Sequence, residues 1–146
     1  MSKWARAFLP VVLLLSAAFW LRLYRLDAQS LWWDEGISLH LATSGAAEIV
    51  RDRLANIHPP LYFFLLKGWL RLVGVSAFTG RALSVLAGLL QVALAFAAAR
   101  AWSRRAGLGR QGARAAAWLA GGLMLLSPLS VIYSQEIRVY ALLPVV

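Results

Sequence analysis

The chain has no cysteine. That excludes disulfides, a thiol nucleophile and any Cys-ligated metal. Acids are nearly as scarce: six Asp and Glu stand against fifteen Lys and Arg, and charged residues make up only 14% of the 146 positions. A water-soluble domain of this size needs a more charged surface. The net charge of +9 raises nucleic acid as a partner. The arginines, however, flank apolar runs instead of forming a polar face, which argues against nucleic acid and for the charge pattern that orients a membrane protein. What is abundant is hydrophobic side chain, at 61%. The few acids are also unevenly placed. Asp27, Asp34, Glu35, Glu48 and Asp52 all fall between Tyr24 and His58, and only Glu136 lies elsewhere. Acids that are rare and gathered in one stretch point to use.

The apolar runs predict an all-α, polytopic transmembrane protein with a large first extracytoplasmic loop carrying short surface helices. The first span covers residues 7–26, with Arg22 and Arg25 snorkelling at its end. Lys3 and Arg6 give it the basic start of a signal peptide, but no small-x-small cleavage pattern follows, so it is an uncleaved anchor. Residues 37–42 and 46–54 form short helices in the loop. Pro59 and Pro60 open an aromatic segment, residues 59–76, that is either re-entrant or a further span; its Lys67 and Arg71 cost roughly 2.5–3.5 kcal/mol each inside hydrocarbon and should face protein, water or an anion. Residues 82–99 and 115–135 are uncharged spans, separated by a basic loop with Arg100, Arg104, Arg105, Arg110 and Arg114. Cytoplasmic placement of Lys3, Arg6 and that loop puts the acidic loop and Glu136, Arg138 and Tyr140 together on the outer face.

Three motifs carry chemistry. Trp32-Trp33-Asp34-Glu35-Gly36 sets two carboxylates behind two interfacial tryptophans. Such acids serve as solvated loop charges, as bases, or as ligands of a divalent cation. On an extended chain Asp34 and Glu35 point opposite ways, so one faces the reaction and the other a metal or a supporting contact. His58 precedes a helix start, a position that favours an anionic group. Lys67 and Arg71 are either snorkelling cations or anion contacts. Glu136, Arg138 and Tyr140 form either an interfacial cap or a site whose arginine clamps phosphate.

The order of these motifs resembles a known family. Trp-Trp-Asp-Glu-Gly is followed by His-Pro-Pro-Leu-Tyr, then by Gly-Arg-Ala-Leu-Ser-Val-Leu-Ala-Gly-Leu-Leu, and then by Ser-Pro-Leu and Tyr-Ser-Gln-Glu-Ile-Arg-Val-Tyr-Ala-Leu-Leu. This is similar to the N-terminal part of the GT-C integral membrane glycosyltransferases that use polyprenyl-phosphate sugars, the group with protein O-mannosyltransferases and lipid A aminoarabinose transferases. The likeness covers almost the whole chain, and such enzymes are several times longer, so the chain is expected to be the N-terminal module of a longer protein, or a truncated reading frame that is inactive alone.

The resemblance implies transfer of a sugar from a polyprenyl-phosphate carrier to a hydroxyl or amine of a glycan, lipid or protein acceptor, on the extracytoplasmic face of the inner or plasma membrane. Asp34, with Glu35 beside it, matches the family's catalytic acid in the first external loop. His58 stands just before the paired prolines, where some relatives carry a lysine near the carrier phosphate. Arg138 matches a recurrent arginine. Some relatives have aspartate where this chain has Tyr140, so Glu136 is the one candidate for a second acid. With Lys67, these residues are the expected substrate and lipid-phosphate contacts. Metal dependence varies in the family, and Asp34 or Glu35 would hold a divalent metal if one is used. Two other classes remain: a non-catalytic membrane subunit or remnant that binds lipid or a partner, and a lipid-carrier flippase or polymerase, which would tolerate Asp34→Asn better.

Overall fold

The structure, a computed structural model, describes residues 3–56 and 59–142. These form seven α-helices and a 3-10 turn, with no strand among the described residues: α1 (Lys3–Leu23), α2 (Trp33–Thr43), α3 (Ala46–Leu54), α4 (Leu61–Val73), α5 (Ala77–Arg105), α6 (Arg110–Leu126), α7 (Pro128–Ser134) and the turn Val139–Ala141. The all-α class read from the sequence is the class the chain adopts. Helix α5 is the spine, and α1, α4, α6 and α7 all pack on it.

Two kinds of packing meet along that spine. At one end, α2, α3 and α4 close over a core of large side chains: Leu39, Leu41, Ile49, Tyr62, Phe63 and Leu66, with Ile137 and Val139 inserted from the C-terminal segment. Toward the other end, the buried positions of α1, α5 and α6 are small, among them Ala18, Ala87, Gly88, Ala113, Ala117 and Gly121. The large apolar side chains of those helices (Leu13, Trp20, Leu90, Leu94, Leu119 and Leu123) point outward. A Cβ at Gly121 would lie 3.0 Å from Leu14 Cδ2, so the small side chain is what permits the close approach of α6 and α1.

The element boundaries differ from the sequence reading in ways that have local causes. Helix α1 stops at Leu23, short of Leu26, because Arg25 takes a left-handed conformation with φ +57°. Helix α5 runs for 29 residues, ~43 Å at 1.5 Å per residue, and absorbs Arg100, Arg104 and Arg105. The expected basic loop therefore shrinks to residues 106–109, and Arg110 and Arg114 belong to α6. The uncharged run at 115–135 is broken at Ser127-Pro128, where α6 and α7 meet at a bend of 56°. Proline has no N–H to offer the carbonyl four residues back. That carbonyl is Met124 O, and Arg22 Nη2 donates to it at 3.3 Å. By length and composition, α5 is a candidate to cross a membrane, α6 and α7 qualify only as one bent span, and Phe8–Leu23 is a shorter apolar helix. Helix α4, the segment expected to be re-entrant or a further span, has 13 residues. That is ~20 Å of helix against a hydrocarbon core of about 30 Å.

Candidate active site

The site is organised by an arginine. Arg81 lies near the start of α5, which a capping box of Ser76 and Thr79 nucleates. Its side chain is 3% exposed, and Glu35, 1% exposed, meets it as a bidentate pair: Nε to Oε1 at 2.8 Å and Nη2 to Oε2 at 2.6 Å. Nη1 donates to Leu26 O and Gln29 O, and Nη2 also reaches Ser30 O at 3.3 Å. A guanidinium has five N–H donors, and these bonds use all five. Three carbonyls of the turn after α1 thus meet one cation.

Glu35 accepts a third bond, from the backbone N–H of Ile137 at 3.1 Å. One carboxylate therefore joins α2, α5 and the C-terminal segment. Asp34 and Glu35 are not on extended chain: both lie in the first turn of α2, where carboxylates favour the positive end of the helix dipole. Neighbours on a helix still diverge by about 100°. While Glu35 points inward, Asp34 stays 39% exposed and its Oδ2 lies 3.1 Å from Arg138 Nη2.

Arg138 is held by aromatic faces. Its guanidinium carbon lies 4.5 Å from the Tyr140 ring centre and 5.2 Å from that of Trp32, and Nη2 donates to the Tyr140 hydroxyl at 3.2 Å. Asp34 and Arg138 open onto a cavity of about 180 Å³ whose wall includes Ser38, Arg53, Asn56 and Phe63. Arg53 pairs with Asp52 and lies over the Phe63 ring at 4.5 Å.

Of the residues singled out in the sequence, Asp34, Glu35, Glu136, Arg138 and Tyr140 come together around Trp32. Glu136 faces a different cavity from Asp34, one lined by Trp32, Glu35, Arg81 and Gln135. Its Oε2 is buried without a hydrogen-bond partner, and burial pushes its carboxyl up from the usual range, the neighbouring Arg138 opposing this and Glu35 and Asp34 adding to it. Lys67 is not part of the group. Its Nζ donates to Ala42 O and Ser44 O, capping the far end of α2 from Asp34. Arg71 is exposed on α4. His58 lies outside the described residues.

Residues outside the expected site do much of the holding. Arg22, expected to snorkel at the end of the first span, is instead fully buried and donates to Ser134 Oγ at 3.1 Å and Ser130 Oγ at 2.9 Å. Gln91 of α5 accepts from Ser130 and donates to Ala141 O. Gln135 donates to the carbonyls of Arg22 and Tyr24. These bonds fix both ends of the segment that presents Glu136 and Arg138. Among the described residues, no three His, Asp or Glu side chains converge as a metal ion would require, and Asp34 and Glu35 each face a guanidinium. The described residues thus do not fit a resident divalent metal, and no step below runs through one. Comparison of the chain with protein-family models, curated proteins and solved structures gives no match in any of the three.

Proposed function

We propose that the chain is part of a membrane glycosyltransferase that moves a sugar from a polyprenyl-phosphate carrier to an acceptor hydroxyl or amine at the extracytoplasmic face. The observation that carries this reading is the Asp34–Arg138 pair: a partly exposed carboxylate and an aromatic-seated guanidinium, 3.1 Å apart, on one open cavity. Support for a membrane setting comes from the inverted packing of α1, α5 and α6, with small residues inside and large apolar ones outside. In water, apolar surface on that scale is unusual; between lipid-facing helices, small interfacial residues are the common solution.

In this reading the Asp34 carboxylate takes the proton of the acceptor hydroxyl. The acceptor oxygen forms a bond to the anomeric carbon as the bond from that carbon to the phosphate oxygen breaks. The phosphate leaves with the electron pair, and Arg138 balances the charge that gathers on it. Phosphate and Asp34 compete for the same guanidinium, so carrier binding releases an oxygen of Asp34 to act as base. Glu35 stays bonded to Arg81 throughout and keeps α2 in register with the segment at 137–139.

Arg138→Gln separates this reading from a purely structural role. A hydrogen bond to a charged group contributes about 1.5–3 kcal/mol, so affinity for polyprenyl phosphate should fall roughly ten- to hundredfold. Affinity for the uncharged polyprenol should not change. Equal loss for both lipids, or loss for neither, would remove Arg138 from the carrier site.

A further inference from the structure

The end of the molecule away from the Asp34 cavity carries five exposed arginines: Arg100, Arg104 and Arg105 close α5, and Arg110 and Arg114 open α6. Among the described residues, none of the five makes a hydrogen bond, an ion pair or a ring contact. Nor is an acid near them in sequence, since no Asp or Glu stands between Asp52 and Glu136.

The arrangement of four of them follows from one aromatic contact. Helices α5 and α6 are joined by residues 106–109 and pack antiparallel. Phe96 of α5 meets Trp118 of α6 edge to face, ring centres 5.1 Å apart, which sets these two positions level. Arg100 and Arg104 continue the Phe96 face at four-residue steps, and Arg114 and Arg110 continue the Trp118 face. Arg100 is therefore level with Arg114, and Arg104 with Arg110. The four stand in two rungs, about 6 Å apart along the helices, on one side of the hairpin. Like charges one turn apart repel, and here each also faces a like charge on the neighbouring helix. With no acid at hand, the rungs call for anions from outside the chain.

Depth and surroundings say which anion. From Arg81 to Arg100, α5 covers ~29 Å at 1.5 Å per residue, close to the hydrocarbon thickness of about 30 Å. With the Asp34 site at one interface, the rungs fall at the headgroup level of the opposite leaflet. The exposed Trp102 suits that level. Toward the middle of the helices the surface turns apolar within two turns, at the exposed Leu94 and Leu119. A ligand of the rungs thus meets cations and hydrocarbon side by side, the order in which a phospholipid carries its phosphate and its chains. We infer that the Arg100–Arg114 and Arg104–Arg110 rungs bind net-anionic phospholipids of the phosphatidylglycerol type in the leaflet opposite the Asp34 site. Phosphatidylcholine and phosphatidylethanolamine fit less well, because each would bring its own ammonium among five cations. The inference rests on the proposed membrane setting and not on glycosyl transfer.

The test is lipid retention by the intact chain in nanodiscs holding equal amounts of phosphatidylglycerol, phosphatidylcholine and phosphatidylethanolamine, read by native mass spectrometry. The expected result is at least tenfold preference for the glycerol lipid. Arg100→Gln with Arg114→Gln should cut that preference about tenfold, as loss of two arginines at an anionic surface requires. Arg71→Gln, which removes an exposed cation of α4, should leave it unchanged. Parity in the native chain, a preference that survives loss of both rungs, or an equal fall in Arg71→Gln would overturn the proposal. So would an RNA oligonucleotide that displaces the retained lipid at equal phosphate. Should a rung variant not fold, the preference of the native chain decides alone. Parity inside nanodiscs removes this inference and leaves the membrane setting. A chain that is not incorporated into nanodiscs at all removes both.

Discussion

An arginine with five N–H groups and five bonded contacts has no donor left to give, and Arg81 is in that state. Its partner Glu35 is equally enclosed. Breaking a buried pair from one side strands the other charge, at a cost of about 3–5 kcal/mol. Glu35→Gln and Arg81→Met should each lower unfolding free energy by that order. The double variant should lose clearly less than the sum, because neither charge is then stranded. Additive losses in a denaturant series would mean that the pair is not coupled. The sequence revealed the acids and concealed the arginine. Trp32-Trp33-Asp34-Glu35 stands out because acids are rare, and the alternation of Glu136 with Arg138 and Tyr140 marks a shared segment. Arg81 looked like a boundary charge before an apolar run. Its partner is 46 residues away, a separation that no local periodicity encodes. The available signal was the surplus of acids in the first loop, which needed a cation from elsewhere.

At the scale of the element, the proline before α4 marks a helix entry with a local chemical cause, whereas α2 begins at Trp33, ahead of the expected 37–42, with Asp34 and Glu35 inside its first turn and not on extended chain. Helix α1 ends just before the turn whose carbonyls meet Arg81, and α5 continues through Arg100 and Arg105 because arginine is a strong helix former. The break before α7 has both a local and a distant cause. Pro128 removes one N–H, and Arg22 supplies a replacement donor from another helix. Pro128→Ala restores that N–H to Met124 O and releases Arg22 Nη2. Spin labels at the exposed positions Leu119 and Ile132 should then move toward the ~20 Å spacing of a straight helix, measured by double electron–electron resonance. An unchanged distance would show that Arg22 and its serines, not the proline, impose the 56° bend.

Across the whole molecule, the polar cluster sits where α2, α4, α5 and the segment after α7 meet. The turn between α5 and α6, flanked by Arg104 and Arg105 of α5 and Arg110 of α6, lies at the other end of the long helix. The lack of cysteine makes this arrangement simple to probe in membranes. A cysteine at the exposed Ser30 should react with an impermeant thiol reagent from outside, and one at the exposed Ala106 should react only after permeabilisation. Labelling of both from outside would remove the opposed placement of the two ends on which the proposed extracytoplasmic site depends. The site itself is tested most directly by one comparison: sugar release from polyprenyl-phosphate sugars in membranes holding equal amounts of the native chain, carried within the longer protein of which it is proposed to be a part, or of the same protein with Asp34→Asn. The expected result is release by the native chain and its loss, by a hundredfold or more, in the variant, with folded protein undiminished, as removal of a general base requires. Release that survives Asp34→Asn would contradict the assignment of Asp34 as the base, and no release by the native chain would contradict the assignment of glycosyl transfer.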